Sequence, residues 1–364
     1  MKTFWDKLPK PFFASAPMAD VTDPAFRRLL ARCGKPNVMW TEFVSADGLH
    51  ALTAAGENES ASNPLLRDLQ FTEEQRPIIA QIFSSKPEMI AYAAKLVAEL
   101  GFDGVDINMG CPDRSVEKQG AGAMLTKDPK LAVALIKVAQ EASDLPVSVK
   151  TRVGYNKESL DEWLPTLLEA KPRAITLHLR TRKEMSAVSA KWELMKKAVA
   201  IRDKVAPEVL LIGNGDVKSL EEGKRLAAET GCDGIMIGRG MFGNPWLFEG
   251  LTRLNLKSES SRFNLVSPEH GLDEKLAALV ELAHNFEKIS PPKSFALLKK
   301  HIKAFVSGFA GAADLRARLM QAESASDLEG IMHSLTHGLG VRIVGAGTTE
   351  GDHDEHAGNH PSSE

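Results

Sequence analysis

At 364 residues the chain has room for about two domains and a sizeable core that needs neither disulfides nor structural metal. Lys and Arg total 45 against 48 Asp and Glu, a net charge of −3, which excludes a polybasic protein but not a local basic patch. No apolar run approaches the ~18 residues of a membrane span, and MKTFWDKLPKPFF lacks the apolar core and cleavage site of a secretory signal. Cys33, Cys111 and Cys232 stand far apart, with no C-x-x-C pair and no His at metal spacing. The expectation is a cytoplasmic globular protein, monomeric, with no membrane and no metal partner.

Short apolar runs then alternate with amphipathic helical stretches. Candidate strands begin at Pro11, Val38, Pro77, Gly104, Pro146, Ala174, Glu208 and Gly234, roughly 26 to 42 residues apart, close to the ~30 residues of a βαβ unit. Several are apolar on both faces, as buried parallel strands are. PEMIAYAAKLVAELG and SLEEGKRLAAETG read as helices ending in Gly at C′. Eight such repeats predict a (β/α)8 TIM barrel over residues 1–254, with an open doubly wound sheet as the alternative. NPWLFEGLTRL, 244–254, reads as the eighth helix. Residues 255–267 are Ser-rich and read as a linker, and 268–340 carry helical patterns only, a small all-α domain. Within it Lys293, Lys299, Lys300, Lys303, Arg316 and Arg318 face a single Asp314. The Gly-, His- and acid-rich end, 341–364, reads as a disordered tail.

A parallel barrel gathers function at the C-terminal ends of its strands. Those positions hold Ala16-Pro17-Met18-Ala19, Gln81, Asn108, Cys111, Lys150, His178, Asn214-Gly215-Asp216 and Gly238-Arg239. They contain no paired carboxylates for glycoside hydrolysis and no Ser-His-Asp set. IGNGD and IGRGMFG, after strands seven and eight, instead suit a phosphate cradle, completed by a helix starting near Asn244-Pro245. G-R-G-M-F-G also fits G-x-G-x-x-G, but that fingerprint belongs on a first βα unit rather than after an eighth strand. Lys150 ends an apolar strand as a fixed positive charge, and Cys111 places a thiol just beyond a strand end. Cys33 and Cys232 carry no such signal.

APMADVTDPAFRRL, AQIF at 80–83, DINMGCPDRSVEKQGAGAML at 106–125, SVKTRVG at 148–154, HLRTR at 178–182, NGDV at 214–217 and CDGIMIGRGMFGNPWLF at 232–248 can be read together. In these pieces the sequence resembles the tRNA-dihydrouridine synthase family, and KKH…GxxGAAxLR extends the likeness into the helical part. Leu179 departs from the family's usual Gly. The resemblance implies an FMN-dependent oxidoreductase, reduced by NADPH or NADH, that reduces the C5=C6 bond of uridines in tRNA. By that analogy Pro17, Met18, Ala19, Gln81, Lys150, His178, Asn214, Gly215, Asp216, Gly238 and Arg239 would hold FMN, and Cys111 would be the proton donor. Asn108, Arg182, Lys299, Lys300 and Lys303 would meet the tRNA. The alternatives are another FMN barrel acting on a small molecule, and a non-catalytic tRNA-binding relative.

Overall fold

A computed structural model describes residues 3–56, 62–251 and 270–339. The expected linker at 255–267 and tail at 341–364 lie outside the described residues. Eight strands run β1 Phe12–Ser15, β2 Met39–Ser45, β3 Ile78–Phe83, β4 Gly104–Met109, β5 Val147–Arg152, β6 Ala174–His178, β7 Leu210–Asn214 and β8 Gly234–Ile237. All pair in parallel, each with its sequence neighbour, and β8 pairs with β1. A bridge between Ala14 and Val38, with the Ser15 N–H donating to the Val38 carbonyl at 3.2 Å, closes β1 onto β2. The sheet is therefore a barrel, not an open sheet.

The strands are buried almost throughout, which explains why they read as continuous apolar runs. Inside the barrel Phe12, Trp40, Ile79, Ala174, Ile212 and Met236 pack together, with Trp5 set edge-on against Phe12 and Trp40. This plug fills the end where the strands begin and leaves the other end open.

Helices α1 Pro24–Cys33, α2 Ala46–Ala54, α3 Pro64–Asp68, α4 Pro87–Glu99, α5 Arg114–Glu117, α6 Pro129–Ala142, α7 Leu160–Glu169, α8 Glu193–Val205 and α9 Leu220–Thr230 join the strands. Their ends follow local chemistry. Asp23 caps α1 through the Phe26 N–H, with Pro24 in the first turn. Ser219 caps α9, Glu221 and Glu222 follow it, and left-handed Gly231 ends the helix. One expectation fails. Residues 244–248 form successive turns, closed by bonds such as Leu247 N–H to the Asn244 carbonyl, and helix begins only at 249. No helix therefore starts at Asn244-Pro245 to complete a phosphate cradle; the segment after β8 is the 3-10 turn Arg239–Met241. The cause is tertiary. Gly243 has φ +68, and a Cβ there would collide with the carbonyl of Ala304, so the chain turns under a second layer rather than coiling.

That second layer is α10 Leu272–Glu287, α11 Lys299–Phe305, α12 Ala312–Leu319 and α13 Ala325–Leu339. The apolar core continues from α1 into it without a break, and Arg32 of α1 pairs with Glu281 of α10. His301 of α11 inserts between Phe26 and Phe242, with ring centroids 4.7 and 5.8 Å away. Lys293 corrects the basic-patch reading. Its side chain is only 3% exposed, with Nζ 2.8 Å from Glu42 and 3.0 Å from Asp68. Burial alone would lower its pKa, but the two carboxylates outweigh that and raise it. Lys293 is thus a tie to the barrel, not a phosphate contact. Lys293→Met removes the cation paired with buried Glu42, while Asp68 keeps Arg67 at 2.9 Å, and should cost about 3–5 kcal/mol. A chemical-denaturation midpoint equal to that of the unaltered protein would show that the tie contributes nothing.

Candidate active site

The open end of the barrel is a cavity of about 1280 Å³. It is lined by Pro17 and Met18 after β1, Gln81 on β3, Asn108 and Cys111 at the end of β4, and Lys150 on β5. His178 on β6, Asn214, Gly215 and Asp216 after β7, and Gly238 and Arg239 after β8 complete the ring. These are the residues the sequence places at strand ends. Ala19 does not line the cavity; Ala16 does. Lysines and arginines dominate the charged lining: Lys150, Arg152, Arg180, Lys218, Arg225 and Arg239, against only Asp216 and Glu222.

Lys150 donates from Nζ to Asn214 Oδ1 at 3.2 Å, and Asn214 in turn donates to the Met236 carbonyl at 2.9 Å. Burial, with Arg152 beside it, lowers the Lys150 pKa to about 8. His178 lies with Nε2 3.1 Å from a guanidinium nitrogen of Arg180. A guanidinium only donates, so Nε2 accepts and the ring proton sits on Nδ1. Burial, then the surrounding cations, push its pKa far below the imidazole range. His178 is therefore a neutral donor, not an acid. Arg180 also binds Asp216 and the Val188 carbonyl, and Asp216 bridges onward to Arg239 at 2.7 Å.

Cys111 follows β4 in a loop fastened on two sides. Asn108 Oδ1 accepts the N–H groups of Gly110 and Cys111 at 3.1 and 2.9 Å, and the Cys111 carbonyl accepts the Ala123 N–H at 2.9 Å. Gly122, at φ +61, is needed here, because a Cβ would stand 2.7 Å from that carbonyl. This close approach accounts for the Gly in K-x-G-A-G-A. Arg152 donates to the Gly110 carbonyl at 2.8 Å and to those of Thr181 and Met185 at 3.1 and 3.0 Å, joining the Cys111 loop to the loop after β6. Burial raises the pKa of the Cys111 thiol, which stays protonated at neutral pH.

Asp106, Arg152 and Arg180 are the residues that the reading of strand ends overlooked. Each lies two positions from a chosen residue on the same strand or its extension, so each faces the same side. That spacing was the available signal. Other chosen residues lie outside the cavity lining. Arg182 pairs with Glu117 and lies over the Tyr155 ring at 5.4 Å. On α11, Lys300 pairs with Asp20 at 3.1 Å, Lys303 is exposed and Lys299 half-buried.

Residues 14–336 match the family model of dihydrouridine synthase. The chain belongs to the dihydrouridine synthase family. Among curated relatives, a probable tRNA-dihydrouridine synthase of Staphylococcus aureus strain COL is 36% identical over 91% of this chain and 95% of its own. A probable tRNA-dihydrouridine synthase 2 of Bacillus subtilis strain 168 is 38% identical over 91% of this chain and 96% of its own. Among solved structures, histamine dehydrogenase from Rhizobium sp. 4-9 superposes with a TM-score of 0.50 at 12% identity, over 79% of this chain and 50% of that one. That likeness concerns the fold alone. Among the described residues no helix is long and apolar enough to cross a membrane.

Proposed function

We propose that this chain reduces uridines of tRNA to 5,6-dihydrouridine, with FMN in the barrel mouth and NADPH or NADH as electron source. The observation that carries the reading is a protonated thiol, Cys111, held in a cation-rich cavity of a dihydrouridine synthase barrel. The residues fit FMN. The cavity exceeds the roughly 300–1,000 Å³ of a single-ligand pocket, leaving space for a flavin and a base. A Cβ on Gly238 would lie 3.4 Å from Ala16 and Met18, so glycine keeps that wall flat. Lys150 and Arg239 suit an electron-rich ring edge and a phosphate.

Pro17, Met18, Gln81, Lys150, His178, Asn214, Gly215, Asp216, Gly238 and Arg239 would hold the cofactor, and Ala16 takes the place expected for Ala19. When bound, FMN supplies the hydride that C6 receives. Cys111 gives its Sγ proton to C5, the resulting thiolate is reprotonated from solvent, and the C5=C6 double bond becomes single. Lys150 would offset negative charge on the reduced ring. Neutral His178, with its proton on Nδ1, would offer the cofactor a hydrogen-bond donor and holds no catalytic proton. The deciding experiment maps dihydrouridine by primer extension on tRNA from a deletion strain with and without this protein. Restoration of a defined site is expected; an unchanged map rejects the reading.

A uridine in folded tRNA must leave its stack to reach Cys111, so the RNA body needs its own support. Residues 270–339 form that support, with Lys299, Lys300 and Lys303 on α11 meeting phosphates. Replacing all three with Ala should weaken tRNA binding, leave FMN content unchanged, and lower the slope of log affinity against log salt by about 0.7–0.9 per lost contact. An unaltered slope with a lowered melting temperature would instead assign the lysines to packing.

A further inference from the structure

Asp106, on β4, lies wholly buried beneath the cavity and is not itself one of its lining residues. Its Oδ1 accepts the Ser148 hydroxyl at 2.5 Å and its Oδ2 the Gln81 Nε2–H at 2.7 Å. Gln81 Oε1 then accepts from Asn108 Nδ2 at 3.1 Å, and Asn108 Oδ1 accepts the N–H groups of Gly110 and Cys111. An ionised carboxylate can only accept, whereas an amide offers a donor on one side and an acceptor on the other. Asp106, which only accepts, and the Gly110 and Cys111 N–H groups, which only donate, therefore hold Gln81 and Asn108 in one direction from opposite ends. Reversing Gln81 alone would set acceptor against acceptor at Asp106 and donor against donor at Asn108, and reversing Asn108 alone would do the same at Gln81 and at the Gly110 and Cys111 N–H groups.

We propose that Asp106 is a positioning residue for this chemistry: its carboxylate is the charged anchor of the hydrogen bonds that hold Gln81 and Asn108 and, through Asn108, the seat of Cys111. The inference rests on the reading that Gln81, Asn108 and Cys111 act on cofactor and base. It also gives the ligand chemistry. Gln81 and Asn108 each retain one uncommitted amide N–H in a cavity-lining group, so this wall offers donors, complementary to the carbonyl edges of flavin and uracil.

The test uses full-length protein carrying Cys33→Ser and Cys232→Ser, so that Cys111 is the single thiol. Asp106→Asn keeps the shape but replaces the charged acceptor with a neutral amide, leaving the Gly110 and Cys111 N–H groups alone to direct the row. Asp106→Asn combined with Gln81→Glu moves the carboxylate one link along, where it accepts directly from Asn108 and restores a charged anchor for that residue alone. Alkylation of Cys111 by iodoacetamide, FMN affinity by fluorescence quenching, and a melting curve are read for each.

For Asp106→Asn, alkylation should quicken about threefold as the loop loosens, and FMN affinity should fall about tenfold. In the double variant alkylation should return to the parental rate while FMN affinity stays weak, because the Gln81 donor is gone. A single variant that alkylates and binds FMN like the parent overturns the proposal, as does a double variant that alkylates faster than the parent. Should the single variant fail to fold, the double variant, which keeps one carboxylate in the core, decides on the same criterion. A parent that binds no FMN would overturn the functional reading, while the alkylation arm would still decide the role of Asp106.

Discussion

Cys111→Ala should reduce dihydrouridine formation by about 10²–10⁴-fold, the range for removal of a positioned general acid. FMN content and the oxidation of NADPH without tRNA should stay near the unaltered protein's, because only protonation of C5 is lost. Single-turnover reaction of the reduced holoenzyme with tRNA, followed by mapping of dihydrouridine, separates the steps. A mutant that forms product at the original rate would remove Cys111 from the role. Cys33→Ala and Cys232→Ala serve as controls, since both thiols are buried in the core away from the cavity.

Lys150→Met has the second large effect, on the flavin itself. Losing a charge-assisted contact of about 1.5–3 kcal/mol should weaken FMN binding roughly ten- to a hundredfold. The pH dependence makes the test sharper. In the free protein the Lys150 pKa is lowered to about 8, by burial first and then by Arg152. An electron-rich ring edge favours the charged amine, so binding raises that pKa. Affinity should therefore be level where the free protein is already protonated, near pH 7. It should fall up to tenfold per unit as pH rises through about 8. The ratio of unaltered to Lys150→Met affinity isolates this dependence from titration of the ligand. A ratio flat from about pH 7 to 9.5 would mean that Lys150 does not act through its charge.

The barrel was legible because buried parallel strands announce themselves. Every strand begins within two residues of the apolar run that signals it, and the strand ends bring Gln81, Asn108, Cys111, Lys150, His178 and Arg239 to one cavity. What stayed hidden depends on partners remote in the chain. Lys293 looks like one more surface lysine until Glu42, 251 residues away, lies against it. Asp106 reads as an interruption in an apolar strand until closure of the sheet brings up Ser148 and Gln81. Asn244-Pro245 carries the local marks of a helix start, yet the contact between Gly243 and Ala304 prevails. Local pattern gives the elements and their exposed ends, whereas the direction of a buried hydrogen bond is a property of the assembled barrel.

The burial that keeps the Cys111 thiol protonated also governs how long the protein lasts as a working reagent. Oxidants and electrophiles attack the thiolate, and raising the pKa depletes that form. A sulfur working beside a reducing cofactor, where oxygen and peroxide would be encountered, is thereby slow to be consumed by side reactions. The proton is kept available for a base delivered to it, and the same confinement acts as a preservative.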